Sequence, residues 1–211
     1  RRGLHYVVIG GWLPEYLNEN SYLKKHLRRF RGIYVETRVM KRNLKKQGFC
    51  NVRVIPNCKE LKILEKEELV YCTSEPYRLC TFSRVMKEKG IEDAVNAVRQ
   101  INESAGRVVF SLDIFGMIEP GREGWFENLS AQFPDYVRYG GMVPFDKSTD
   151  VLKNYFSILF PTTYEGEGFA GTLIDAQAAG VPVLASDWRY NSEIVKDGVN
   201  GMLHKAGSLK E

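Results

Sequence analysis

The sequence predicts an α/β fold built on parallel sheets, and three observations lead to that prediction. Short apolar stretches rich in Val and Ile alternate with longer amphipathic stretches along the 211 residues. Gly and Pro close several of the short stretches, as at Gly10-Gly11 and Pro56-Asn57. The stretch at residues 108–115 is apolar almost throughout, which is typical of a parallel strand covered on both faces. Strands that alternate with helices in this way are expected to pair in parallel.

The first 57 residues contain one βαβαβ series. We predict strands at 4–9, 32–35 and 52–55, separated by helices at 17–30 and 37–47. The first of these helices is basic and amphipathic, and Gly48 ends the second. Residues 58–77 interrupt the series because they are charged, contain Pro76 and show no strand pattern. We interpret them as a crossover between domains.

A second and more regular series begins at Arg78. The predicted strands are 78–82, 108–115, 137–139, 157–160 and 181–186, and the predicted helices are 91–103, 125–133, 150–155 and 172–179. We expect one face of the first helix to be buried, namely Ile91, Ala94, Val95, Val98 and Ile101. Ser192 is expected to cap a last short helix ending near Gly198, and for Glu193 a capping role is favoured over contact with a ligand.

Charge is distributed unevenly along the chain. Residues 1–48 carry 12 Lys and Arg against three Glu, a net +9, so the other residues carry −5 of the overall +4. The cations concentrate in the segment from Lys24 to Lys46, which favours an anionic partner such as a membrane surface. A solvated helix face is the open alternative. Nucleic acid is disfavoured because the aromatic residues in and beside this segment, Tyr22, Phe30, Tyr34 and Phe49, are expected in the core.

Composition limits the class of protein. A hydrophobic content of 44% and a charged content of 27% are ordinary for a globular protein, and no apolar run reaches the roughly 18 residues of a membrane span. The four cysteines lack the paired spacing of zinc sites, so we expect free, buried thiols in a reducing compartment. These features predict a cytoplasmic protein that can contact the inner face of the membrane. Because the chain begins with Arg1-Arg2, we expect a piece of a longer protein.

One stretch, residues 161–180 with the sequence PTTYEGEGFAGTLIDAQAAG, combines the features of a ligand site. An apolar strand leads into a glycine-rich turn that carries acids, and a helix follows. Backbone N–H groups at the start of a helix favour an anion, and glycines let a ligand approach the backbone closely. Carboxylates accept hydrogen bonds from hydroxyls. The stretch therefore fits a ligand that is part phosphate and part polyol, such as a nucleotide sugar.

Two familiar phosphate motifs are missing from the sequence. There is no G-x-G-x-x-G after the first strand, which disfavours a dinucleotide cofactor. There is also no G-x-x-x-x-G-K-[ST], which disfavours the usual ATP or GTP site. We therefore expect no cofactor besides the substrate.

Several ordered motifs resemble the C-terminal half of the group 1, or family 4, glycosyltransferases. They are Ser83-Arg84 with Lys89-Gly90, Phe115-Gly116, Tyr139-Gly140, the stretch from Glu165 to Asp175, and Ser192-Glu193 with Asp197-Gly198. The resemblance implies the GT-B fold, here as a complete or near-complete C-terminal Rossmann-like domain and a partial N-terminal Rossmann-like domain. It assigns a partial acceptor-side domain to residues 1–57, an interdomain crossover to 58–77 and a donor-binding domain to 78–211. A chain with these bounds is expected to be truncated at both ends and to lack part of the active site.

The resemblance also implies roles for some of the matched residues. Arg84 and Lys89 would hold the leaving diphosphate and Glu167 the hydroxyls of the donor sugar, so these three are the candidate catalytic residues. Asp175 would contact the ribose, although it replaces a Glu of the family and has a shorter reach. The other candidate donor-binding residues are Ser83, Gly116, Met142, Val143, Glu165, Gly168, Phe169, Ala170, Gly171 and Thr172. Purely structural roles stay open, a solvated turn for Glu165 and Glu167 and a helix-dipole partner for Asp175.

The function implied by the resemblance is hexosyl transfer from a nucleotide sugar to a glycan or lipid-linked acceptor. We expect retention of the anomeric configuration, no bound metal ion and a role in bacterial surface polysaccharide biosynthesis. The alternative is a protein that binds nucleotide sugars without catalysis. The base, the sugar and the acceptor are not specified by the sequence.

Overall fold

The computed structural model describes residues 3–207, and its internal contacts divide the chain into two compact units. Within the described residues, the first unit comprises residues 3–59 and the segments Tyr164–Gly171 and Arg189–Ile194. The second unit comprises Glu60–Thr163, Thr172–Trp188 and residues 195–207. Arg1, Arg2 and residues 208–211 of the predicted domains lie outside the described residues. The predicted domain bounds at 57, 58–77 and 78 stay predictions.

The first unit is built on a three-stranded parallel sheet. Its strands are β1 (His5–Val7), β2 (Gly32–Val35) and β3 (Val52–Val54), paired in the order β1-β2-β3. Its helices are α1 (Leu13–Glu19), α2 (Ser21–Leu27) and α3 (Arg38–Lys46). The helices bury their apolar stripes, so that Leu13, Leu17 and Leu44 share one core with Ile33 and Val35 of β2.

One predicted helix of the first unit is wrong. Residues 17–30 do not form a single helix, because Asn20 has the non-helical backbone angles φ −116° and ψ 78°. Its side chain instead accepts a hydrogen bond from Leu23 N–H at 2.9 Å, which caps the start of α2. Leu17 and Leu27 are buried on either side of this break, so apolar periodicity alone could not reveal it.

The second unit is built on six parallel strands. They are β4 (Tyr77–Phe82), β5 (Phe110–Phe115), β6 (Val137–Gly141), β7 (Ser157–Phe160), β8 (Val183–Ser186) and β9 (Gly201–His204). The helices are α4 (Ile91–Ala105), α5 (Glu123–Ser130), α6 (Ser148–Leu152) and α7 (Gly171–Ala178). The strand order is β6-β5-β4-β7-β8-β9. From β4 the chain adds β5 and β6 on one side and then β7, β8 and β9 on the other, so the strand order reverses between the neighbours β4 and β7. A ligand site is expected at the carboxyl end of such a reversal.

The last part of the second unit differs from the prediction. A 3₁₀ turn covers Asn191–Glu193, and no α-helix follows it up to residue 207. The chain instead forms β9, which pairs in parallel with β8. The Asp197 carboxylate accepts a hydrogen bond from Leu203 N–H at 2.8 Å, and Gly198 N–H donates to the Gly201 carbonyl at 2.9 Å. These bonds close a tight turn that leads into the strand in place of the predicted helix.

The predicted buried face of α4 is correct except at its end. Ile91, Val95 and Val98 are buried, but Ile101 is 45% exposed and Asn102 is buried instead. The Asn102 side chain accepts hydrogen bonds from the N–H groups of Val109 and Phe110 and donates to the Phe110 carbonyl. This pairing holds the turn between α4 and β5, and β5 begins at Phe110 rather than at the predicted residue 108.

A buried carboxylate, Asp113, lies in the middle of β5. Its oxygens accept hydrogen bonds from Arg138 at 2.6 and 3.0 Å, from Tyr155 at 2.5 Å and from Arg78 at 3.1 Å. Burial alone would raise the pKa of Asp113, but the hydrogen bonds from Arg138, Tyr155 and Arg78 outweigh it and lower the pKa. The carboxylate therefore stays charged and links β4, β5 and β6.

The structure also answers two expectations drawn from composition. All four cysteines are free, but only Cys80 is buried, whereas Cys50 and Cys58 are exposed. The expectation of uniformly buried thiols is therefore wrong. Burial raises the pKa of the Cys80 thiol well above its usual value. Among residues 3–207, no helix combines the length and the apolar character needed to cross a bilayer.

Candidate functional site

A pocket opens in the second unit at the carboxyl ends of β4 and β5. It has a volume of about 370 Å³ and is lined by Phe82, Ser83, Phe115, Gly116, Met117, Met142, Val143 and Thr172. Phe82 ends β4, Phe115 ends β5, and Thr172 lies in the first turn of α7. The pocket thus lies beside the reversal of strand order, where open α/β sheets bind ligands. Its volume suits a small organic molecule.

The floor of the pocket is made by two loops that pair through their backbones. Ser83 N–H donates to the Phe115 carbonyl at 3.1 Å, and Val85 N–H donates to the Met117 carbonyl at 2.8 Å. Gly116 lies between these bonds with a φ of +136°. A Cβ at Gly116 would lie 1.7 Å from the Ser83 carbonyl oxygen. Only glycine therefore lets the two loops approach this closely.

Side-chain hydrogen bonds fix two walls of the same pocket. The Thr172 hydroxyl donates to the Phe82 carbonyl at 2.6 Å, which ties the start of α7 to the end of β4. The Tyr139 hydroxyl donates to the Gly116 carbonyl at 2.7 Å, which ties β6 to the loop after β5. The structure thus brings together five of the candidate donor-binding residues: Ser83, Gly116, Met142, Val143 and Thr172.

Three pocket residues were not among the candidate site residues, namely Phe82, Met117 and Phe115, which was matched only as part of the Phe115-Gly116 motif. Each is a direct neighbour of a predicted residue, Ser83 or Gly116. The signal that could have found them is their place at the carboxyl ends of β4 and β5, because every residue at that edge can face a ligand.

The two candidate catalytic cations follow β4 in different environments. The Arg84 guanidinium donates to both carboxylate oxygens of Glu119 at 3.1 Å, and its side chain is 42% exposed. The Lys89 side chain is buried, and its ammonium lies 5.5 Å from the centre of the Phe160 ring. An anionic ligand would therefore have to share Arg84 with the Glu119 carboxylate. Lys89 instead lies beside Phe160, at the end of β7.

Backbone contacts hold the Lys89 loop in place. Thr163 N–H donates to the Glu88 carbonyl at 2.8 Å. Gly90 has a left-handed φ of +71°, and a Cβ there would lie 2.4 Å from the Pro161 carbonyl oxygen. The loops after β4 and β7 are thus tied together across the reversal of strand order, which restricts the position of Lys89.

The acid-bearing loop Tyr164–Gly171 belongs to the first unit. Gly11 N–H donates to the Gly166 carbonyl at 3.1 Å, and Phe169 N–H donates to the Glu36 carboxylate at 3.0 Å. Glu167 lies between these two bonds and is 7% exposed. Its own N–H donates to the Tyr164 carbonyl at 3.1 Å, which closes a turn. The predicted sugar-binding acid is therefore carried on a restrained backbone.

The remaining candidate residues differ in burial. In the first unit Glu165 is exposed, whereas Gly168 and Ala170 are buried. In the second unit Asp175 is the fifth residue of α7 and is only 3% exposed. No group of three or more His, Cys, Asp and Glu side chains suited to a metal ion occurs between residues 3 and 207.

Two acids of the first unit make contacts that the sequence did not reveal. Glu36 was not singled out, yet it accepts from Gly10 N–H at 3.2 Å as well as from Phe169 N–H. Glu193 does cap a helix, but the helix is α3, since its oxygens accept from Arg38 N–H at 2.8 Å and Val39 N–H at 2.6 Å. None of these four partners lies near its acid in sequence, so no local signal could have identified the contacts.

Known proteins resemble this chain in sequence. A family model described as glycosyl transferases, group 1, matches residues 76–211. The GtfA subunit of a UDP-N-acetylglucosamine–peptide N-acetylglucosaminyltransferase from Streptococcus pneumoniae serotype 4 is 31% identical over 137 residues, 64% of this chain and 25% of that protein. An uncharacterized glycosyltransferase of Methanocaldococcus jannaschii is 28% identical over 138 residues, 64% of this chain and 33% of that protein. The chain thus spans a third or less of the length of these relatives.

The fold is also found among solved structures. HepE from Anabaena, crystallised in complex with UDP, matches 100% of this chain with 60% of its own, at a TM-score of 0.82 and 18% identity. At this identity the likeness concerns the fold alone. Together with the two parallel sheets, it confirms the predicted α/β fold class of GT-B type.

Proposed function

The chain belongs to the group 1 glycosyl transferases, and from that premise we propose that it transfers a hexose from a nucleotide-sugar donor to a glycan or lipid-linked acceptor. The observation that carries the proposal is the pocket of the second unit together with Arg84 and Lys89 in the segment that follows β4. Apolar walls suit a nucleobase, and adjacent cations suit a diphosphate. A nucleotide sugar has both parts.

We assign a role to each part of the donor. The base occupies the pocket between Phe82, Phe115 and Met142, and Asp175 accepts hydrogen bonds from the ribose hydroxyls. Arg84 and Lys89 bind the diphosphate, Arg84 as a planar fork and Lys89 as a point charge. The sugar hydroxyls are held by Glu167 and the adjoining backbone from Gly168 to Gly171, with Glu165 at the edge of the loop.

The chemistry follows from the charge that develops on the leaving group. When the bond between the sugar and the diphosphate breaks, negative charge grows on the diphosphate oxygens, and positioned cations stabilise that charge more than they stabilise the bound donor. Arg84 and Lys89 supply such charges in our proposal, so a divalent ion is not required. Retention of the anomeric configuration and a role in bacterial surface polysaccharide synthesis rest on the family resemblance alone.

We propose an anionic membrane surface at the cytoplasmic face as a second partner. The Arg28 guanidinium donates to the Gln47 carbonyl at 2.6 Å and so joins the C-terminal ends of α2 and α3. This junction brings cations from the two ends of the basic segment together on the first unit. We call the exposed cations near it the basic cluster: Lys25, Arg28, Arg29, Arg42, Lys45 and Lys46. Some of their charge compensates the helix dipoles, and the excess attracts anionic lipid. Co-sedimentation with anionic vesicles tests this partner.

The main test is a donor screen on the full-length natural protein. UDP-, GDP- and ADP-sugars are titrated by calorimetry and then offered with candidate acceptors, with products identified by mass spectrometry. UDP is the first probe because HepE was solved with UDP. Binding followed by transfer supports the proposal, and NMR of the product's anomeric position decides between retention and inversion. Binding without transfer to any acceptor favours a binding protein, and no binding of any nucleotide sugar overturns the assignment.

Variants locate the activity in the proposed residues. Glu167→Ala and Arg84→Ala should each lower turnover by more than about tenfold, the scale of losing one fixed contact to the transition state. The matched control is Arg107→Ala, since Arg107 also donates two hydrogen bonds to one carboxylate, that of Glu75, at 2.9 and 3.0 Å, and the two residues lie just before β5 and β4 rather than after them. Near wild-type rates in both site variants, or an equal loss in the control, would contradict the assignment.

A further inference from the structure

One carboxylate of the first unit binds two backbone segments that are far apart in sequence. Glu36 directly follows β2, and its Oε2 accepts hydrogen bonds from Gly10 N–H at 3.2 Å and from Phe169 N–H at 3.0 Å. Gly10 follows β1, and Phe169 lies 133 residues beyond Glu36. Hydrogen bonds to a charged acceptor are stronger than neutral ones. Glu36 therefore holds the loop Tyr164–Gly171 against the ends of β1 and β2.

Two further hydrogen bonds restrain the same loop. Gly11 N–H donates to the Gly166 carbonyl at 3.1 Å, and the Asn57 side-chain amide donates to the Phe169 carbonyl at 3.1 Å. Both backbone polar groups of Phe169 are thus bonded within the first unit. Glu167 lies in the short span between the two anchored positions, so the anchors determine where its backbone lies.

The space around these bonds accommodates only glycine. A Cβ at Gly168 would lie 2.3 Å from Glu36 Oε2, and a Cβ at Gly11 would lie 1.9 Å from the Glu167 carbonyl oxygen. The Tyr190 hydroxyl adds a support, since it donates to the Gly11 carbonyl at 3.0 Å. Burial raises the pKa of Tyr190 to about 12, so this hydroxyl stays protonated at neutral pH. Gly11, Gly168 and Tyr190 thus all contribute to the close approach between the loop Tyr164–Gly171 and the segment that follows β1.

We propose that Glu36 is a positioning residue, which sets the backbone of the loop so that Glu167 and Gly168 can hold the donor sugar. The inference rests on the proposed function for the role of Glu167, whereas the contacts of Glu36 do not depend on it. Glu36 touches no part of the donor in this proposal. It acts through the amides that it binds.

The first arm of the test reads the loop without any substrate. Amide hydrogen exchange is followed by NMR in the full-length protein for the wild type and for Glu36→Ala. We expect the Phe169 and Gly10 amides to exchange at least about tenfold faster in the variant. Glu193→Ala is the matched control, because Glu193 also accepts from two backbone N–H groups in the same unit. It should accelerate the Val39 amide and leave Phe169 unchanged.

The second arm reads the consequence for the reaction. For Glu36→Ala we expect kcat/KM for the donor to fall by about tenfold or more, because misplacing a binding group is costly, while the affinity for free UDP changes less than about twofold. Glu36→Gln keeps an oxygen that can accept both N–H groups and should recover most of the loss. Glu193→Ala should not reproduce the change in kcat/KM.

Each outcome decides one point. Unchanged exchange at Phe169 overturns the restraint by Glu36, and faster exchange with unchanged kcat/KM overturns its positioning role. Tighter donor binding in Glu36→Ala would also overturn it, since Glu36 would then compete with the donor for the amides. If no sugar is transferred by the wild type, the proposed function fails, and the exchange arm still decides whether Glu36 holds the loop.

Discussion

Replacing Gly116 by alanine should lower the stability of the second unit and distort the pocket that we propose binds the nucleotide. Alanine at a φ of +136° is strained, at a cost of about 1–3 kcal/mol. The new Cβ would also lie 1.7 Å from the Ser83 carbonyl oxygen, whereas ordinary contacts begin at 3.4 Å. The loops must therefore separate, which weakens the Ser83–Phe115 and Gly116–Gly141 backbone bonds, each worth about 0.5–1.5 kcal/mol. We expect a total loss of roughly 2–6 kcal/mol.

The assay compares Gly116→Ala with the same substitution at a glycine that also has a positive φ but no crowding. Gly106 has a φ of +64° and no neighbouring atom within 4 Å of its would-be Cβ. Urea unfolding should show a loss of about 1 kcal/mol for Gly106→Ala and a clearly larger one for Gly116→Ala. Calorimetric titration with UDP should show at least about tenfold weaker binding only for Gly116→Ala. Equal stability losses, or unchanged UDP affinity in Gly116→Ala, would refute the reasoning.

Two further predictions concern charge. Asp113→Asn should lower the free energy of unfolding by about 1–3 kcal/mol at neutral pH, because Arg138 and its other donors lose a charged acceptor. The pKa of Asp113 is lowered in the folded state, so the stability contributed by its carboxylate is present above the unfolded pKa of about 4 and is lost as pH falls through the folded pKa. In urea unfolding, the stability difference between Asp113→Asn and the wild type should therefore shrink below about pH 4. A difference that stays constant with pH would contradict this prediction. Lys45→Glu should weaken binding to phosphatidylglycerol vesicles by at least about fivefold, since each cation near the surface contributes about 1 kcal/mol. The control Arg99→Glu in α4 should leave this binding unchanged. Equal sedimentation of all three proteins would remove the membrane proposal.

The fold could be predicted from local patterns because burial imposes them. A strand such as β5, which is covered on both faces, is largely apolar, with only Ser111 and the ion-paired Asp113 polar, and Gly116 directly follows it. The errors occur where a polar side chain binds nearby backbone. Asn20 interrupts a periodic helix by capping the next one, and Asn102 takes a buried position that periodicity assigns to Ile101. Such local hydrogen bonds leave no trace in an apolar pattern.

The candidate site could be predicted only in part, for a related reason. Ser83, Gly116 and Thr172 follow predicted strands, and the carboxyl edge of a parallel sheet brings such residues together wherever they stand in the chain. Glu36 also follows a strand, but its partner Phe169 lies 133 residues away. Nothing in the neighbourhood of Glu36 distinguishes it from a solvated acid. A contact of this kind becomes visible only once the strands and the loop are placed in three dimensions.

The division of the acid-bearing motif has a consequence for how its function should be tested. The stretch from Glu165 to Asp175 is continuous in sequence, yet Glu165 and Glu167 belong to the first unit and Asp175 to the second. The lining residues of the pocket at the ends of β4 and β5 all belong to the second unit, whereas the restraints on Glu167 come from Gly11, Glu36 and Asn57 in the first. A fragment limited to residues 60–211 would keep the pocket lining but lose every one of these restraints. Nucleotide binding by such a fragment would therefore say little about sugar transfer, because the two properties depend on residues from different parts of the chain.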